Sequence, residues 1–62
     1  MQVLTIHDLM RMTKIELTVL EAKIIRKLPE IPEASPERSI ALTNLRNIRR
    51  VLVNRARFSF GP

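Results

Sequence analysis

Residues 27–38, KLPEIPEASPER, divide the chain, because they hold three of its four prolines. A proline lacks the amide that an interior helical residue donates, and its ring crowds the preceding turn. No helix therefore runs on through Pro29 or Pro32. Pro36 is different. It follows Ser35, whose hydroxyl can accept an orphan amide, and at the first helical position its missing N–H costs nothing. Glu37 adds an acid to the first turn, where the helix dipole favours it. One helix ends at this segment and another begins inside it. The six or seven residues between them suit an antiparallel pair.

Two further helix starts are written upstream. Thr5-Ile6-His7-Asp8 and Thr13-Lys14-Ile15-Glu16 each place a threonine three residues before an acid. The hydroxyl accepts an amide of the first turn, and the acid favours the positive helix end. The pattern predicts helices over about 6–11, 14–28 and 36–57. These make one helical domain, 1–57, and the FSFGP stretch, 58–62, is expected to be a flexible tail. With 45% hydrophobic residues, one glycine and two phenylalanines, the composition argues against disorder and against a β-rich fold. The fold class read from the sequence is all-α: a short N-terminal helix followed by an antiparallel two-helix hairpin, dimerising into a helical bundle.

Dimerisation follows from the apolar pattern. On the last helix, Ala41, Leu45, Ile48, Leu52 and Ala56 form one stripe, flanked by Leu42 and Val53 on one side and by Ile40 and Val51 on the other. The helix before the loop carries two stripes. Leu17, Leu20, Ile24 and Leu28 make the first. Ile15, Val19 and Ala22 make a second on the opposite side, at 100° per residue. A two-helix hairpin buries only one of them. The other meets either the short N-terminal helix, folded back as a lid with Leu9, Met10 and Met12, or a second chain. A chain of 62 residues has little interior, and without cysteine it has no disulfide or thiolate metal site to staple it. Association is the remaining device, and a homodimer with a four-helix-type core satisfies both stripes. Ile15, Val19 and Ala22 are the predicted self-association residues.

Charge is unevenly placed. Residues 1–37 hold five bases and six acids, net −1; residues 38–62 hold six arginines and no acid. On a helical wheel Arg46, Arg50 and Arg57 share the face opposite the stripe, with Thr43, Asn47 and Asn54 beside them. Arg49 and Arg55 lie at its two margins, suited to pairing with Glu16, Glu21 or a second chain. Arginine matches carboxylate and phosphate in a bidentate way that lysine does not. A solvated polar face near a helix C-terminus explains part of this charge, since the dipole favours cations there. The functional reading assigns Arg46, Arg50, Arg57, Asn47 and Asn54 to contact with an acidic protein. Phosphate-backbone contact with a nucleic acid is the alternative. Stacking of single-stranded bases is disfavoured because neither phenylalanine belongs to the arginine face. The proline-rich turn is unlike that of a helix-turn-helix.

The stretch DLMRMTKIEL, a long helix, a loop and then LRNIRRVL resembles the plan of a bacterial ribosomal protein family whose members are small helical hairpins that bind ribosomal RNA. The resemblance spans most of the chain and implies RNA contact through the second helix. The loop PEIPEASPERS departs from that family, and the first long helix lacks its surplus of lysine and arginine.

Other chemistry has no material. His7 is the only histidine and reads as a surface residue at a helix start, and Glu30, Glu33 and Glu37 have no base in view. The only glycine is Gly61, so there is no phosphate-cradling loop. The expectation is a non-enzymatic protein with no metal, no cofactor and no small-molecule substrate. Apolar runs reach only three residues, as at Val51–Val53, so neither an export signal nor a membrane span is expected. The location expected is cytoplasmic.

Overall fold

The computed structural model describes residues 2–58, apart from the side chains of 57 and 58. It is all-α, with no strand among the described residues. Three α-helices follow in order: α1, Ile6–Met10; α2, Lys14–Lys27; and α3, Pro36–Phe58. A 3₁₀ turn, Leu28–Glu30, leaves α2.

Each start uses the chemistry read from the sequence. At α1 the Asp8 amide donates to Thr5 Oγ1 at 3.0 Å, and the Thr5 amide donates to Asp8 Oδ2 at 3.3 Å. At α2 the Glu16 amide donates to Thr13 Oγ1 at 3.1 Å and the Thr13 amide to Glu16 Oε1 at 2.8 Å. These are two complete capping boxes, so four first-turn donors are satisfied without tertiary help. At α3 the Arg38 amide donates to Ser35 Oγ at 3.2 Å, and the Ser35 hydroxyl donates to the Pro32 carbonyl at 2.8 Å.

The helix ends differ from expectation by one residue each. α1 stops at Met10 rather than 11, and α2 at Lys27 rather than 28. Pro29 cannot continue the α2 hydrogen-bond ladder, so the chain tightens to a 3₁₀ turn closed by the Ile31 amide on the Leu28 carbonyl at 3.1 Å. Phe58 lies within α3, so the expected tail does not begin there; frayed ends move boundaries by this much. The rest of that expected tail, 59–62, lies outside the described residues.

The core is Leu9, Leu17, Ile24, Ile31, Ala41, Leu45, Ile48 and Val51, with Leu20, Leu28 and Leu52 partly buried against it. The first α2 stripe and most of the α3 stripe are therefore where the periodicity put them. Ala56 is a correction, because it is exposed. The buried arc of α3 is turned toward Val51 and Asn44, the side on which α1 and residues 2–4 lie, and away from Leu42 and Val53, both exposed.

α1 and α2 both pack on α3. Two polar side chains fasten the irregular segments. Asn44, with only 1% of its surface exposed, accepts from the Leu4 amide through Oδ1 at 2.8 Å and donates through Nδ2 to the Gln2 carbonyl at 2.9 Å. Arg38 Nη1 donates to the carbonyls of Leu28 (3.1 Å) and Ile31 (3.2 Å). Carbonyls at a helix end lack intrahelical partners, and here a guanidinium from the next helix supplies one.

Candidate functional site

Three helical turns of α3 set the outer surface. Residues four apart share a face, so Arg46 and Arg50 stand one above the other, with Asn47 and Asn54 to one side. Arg46, Arg50 and Asn54 are exposed, and Asn47 is half-buried. The side chain of Arg57 lies outside the described residues. Among the described residues neither Arg46 nor Arg50 has a carboxylate partner.

The two marginal arginines are engaged. Arg49 Nε pairs with Glu21 Oε2 at 3.1 Å across α2 and α3. The Arg49 side chain is 61% exposed, so this pair is a solvated surface ion pair worth little to stability. Glu16, the other acid considered for such a pair, is used in its own capping box. Arg55 Nη2 donates to the Met10 carbonyl at 2.8 Å. Met10 is the last residue of α1, so this guanidinium meets an orphan carbonyl and ties the end of α1 to α3.

Next to this tie lies a feature that no periodicity foretells. An open groove of about 460 Å³ runs between α1 and α3, lined by Ile6, Met10, Arg50, Val51, Asn54 and Arg55. Its apolar part comes from both helices, its cationic and amide part from α3 alone. Two residues of the predicted contact face, Arg50 and Asn54, thus meet at one edge of an apolar slot. Arg46 lies one turn away.

A second surface is on α2. Ile15 is 76% exposed and Val19 49%, and Ala22 beside them is exposed as well. This is the face opposite buried Leu17 and Ile24. The short helix does not act as its lid: Leu9 is in the common core, Met12 is partly buried against it, and Met10 is 62% exposed.

The described residues contain no group of three or more His, Cys, Asp or Glu side chains that could hold a metal ion. No described helix is long and apolar enough to cross a membrane. His7 is exposed, as its place at a helix start implied. Comparison with family models, with curated proteins and with solved structures finds no match, so the likeness to small ribosomal hairpin proteins stands on the residues quoted for it alone.

Proposed function

We propose that this chain is a non-enzymatic interaction module of the cytoplasm. It is an antiparallel helical hairpin that pairs with a second copy through Ile15, Val19 and Ala22, and it presents Arg46, Arg50 and Asn54 to an acidic protein, with Asn47 and Arg57 on the same face. The observation that carries the reading is the exposure of Ile15 and Val19 on the outside of α2. A contiguous apolar strip on a small helical protein marks an association surface. The contacts support the antiparallel arrangement: Arg38, early in α3, meets Leu28 and Ile31, whereas Arg49, later in α3, meets Glu21, earlier in α2.

The strip is also self-complementary in charge. Glu16 and Lys23 are seven residues apart on the same flank of the Ile15–Val19–Ala22 line. A two-fold copy laid antiparallel, with its axis between Val19 and Leu20, sets Glu16 of each copy against Lys23 of the other. Val19 then meets Val19 at the centre, and Ile15 sits beside Ala22 of the second copy. That geometry is isologous and closes on itself.

Sedimentation at micromolar concentration tests the reading. The expected result is a dimer that Val19→Glu converts to a monomer with unchanged helicity, since Val19 has no place in the core of one copy. A native chain that sediments as a stably folded monomer overturns it. Phosphate contact through the same arginines is the second reading, in keeping with the lack of acidic partners at Arg46 and Arg50 among the described residues. It predicts a gel shift at low salt that weakens steeply as salt rises.

A further inference from the structure

The groove between α1 and α3 joins two kinds of surface that different partners use differently. Ile6, Met10 and Val51 give it an apolar lining, and no acidic residue lines it. Arg50 at its edge is exposed and continues, one turn back, into Arg46. Arg55 donates to the Met10 carbonyl, so a hydrogen bond ties the α1 wall of the groove to α3. A phosphate backbone carries charge for the arginines but no apolar group to fill the slot. A bulky aliphatic or aromatic side chain fills the slot but leaves the arginines unanswered unless acids accompany it. An acidic amphipathic helix supplies both, with anchors and carboxylates recurring at three- and four-residue spacing.

We infer that this groove seats a bulky apolar side chain from an acidic helix of a partner protein, whose carboxylates, one turn apart, meet Arg50 and Arg46. The inference rests on the reading of the arginine face as a protein-docking surface and names what docks there. The partner motif it implies is a pair of acids at i and i+4 with a Leu, Met or Phe on the same face.

The test uses the full chain with labelled methyl groups and three probes: a helical Glu-rich peptide with two leucine anchors, the same peptide with alanine anchors, and a short DNA duplex. The leucine peptide is expected to shift the Ile6, Met10 and Val51 methyl resonances. The alanine peptide should bind about tenfold more weakly, the loss expected when an interface anchor is truncated. Met10→Glu, at a side chain already exposed, should weaken the leucine peptide by a similar factor with circular dichroism unchanged. Equal binding of the two peptides, or wild-type affinity in Met10→Glu, overturns the inference. If an Arg46→Glu/Arg50→Glu variant loses the peptides in that case, the arginine-face reading survives without its anchor. Binding of the duplex but of neither peptide overturns both. If Met10→Glu instead dissociates the dimer, a second copy occupies the groove and the inference falls.

Discussion

An asparagine inside a helix usually turns its amide to water or to its own backbone. Asn44 instead turns into the protein and bonds both the Leu4 amide and the Gln2 carbonyl, so residues 2–4 are held as if by a short piece of ladder. Removing the side chain leaves a backbone donor and acceptor without partners beside the core. Asn44→Ala should lower stability by about 1–3 kcal/mol. Urea unfolding measures this, and the Leu4 amide should lose its protection from hydrogen exchange in the same variant. The sequence carried a signal for Asn44: it lies three residues after Ala41 and four before Ile48, on the buried arc. Its polarity hid it, because polar residues on a wheel are assigned to solvent. Arg38 entered the sequence reading only as one of six arginines in a charge count, whereas its guanidinium closes the exit of α2.

At the scale of the element, the helix starts were legible because they are local. A threonine and an acid three residues apart complete each other's hydrogen bonds whatever the rest of the chain does. The Thr5 hydroxyl first, and then its amide, hold the Asp8 carboxyl below the usual carboxylate range. The Thr13 amide first, and then its hydroxyl, do the same for Glu16. Because both acids bind protons less readily folded than unfolded, their contribution is whole above the ordinary carboxylate range, near pH ~4, and is lost as pH falls through the lowered folded values. Helicity followed by circular dichroism should decline over that acid window, and an Asp8→Asn/Glu16→Gln variant should flatten the decline. Thr13→Ala should remove ~1 kcal/mol at neutral pH, with no shift of the other helix starts. The groove was not legible at this scale, because it depends on how α1 tilts against α3. Periodicity gives the face a helix buries but not the angle at which a neighbour lies on it.

For the whole molecule, 46 × 19 × 14 Å, the question is what covers its apolar outside. Ile15, Val19, Ile25, Leu42 and Val53 are all exposed in one copy. The opposed stripes of α2 were readable from spacing alone, and the structure leaves the second one open. If the folded state is the one that associates, its melting temperature depends on concentration. The melting temperature should therefore rise as the protein is concentrated, and Val19→Glu should abolish the rise. Scanning calorimetry across a range of concentrations measures both.

The Asn44 clasp also sets an order of events during synthesis. Its two bonds join positions 40 and 42 residues apart. At ribosomal speeds of about 5–20 residues per second, residues 2–4 wait roughly 2–8 s before the amide that will hold them has been made. Leu4, Ile6 and Leu9 have no α3 to rest on during that interval. α1 is thus made well before the helix that seats it, and a chain halted before position 44 leaves Leu4, Ile6 and Leu9 without that cover.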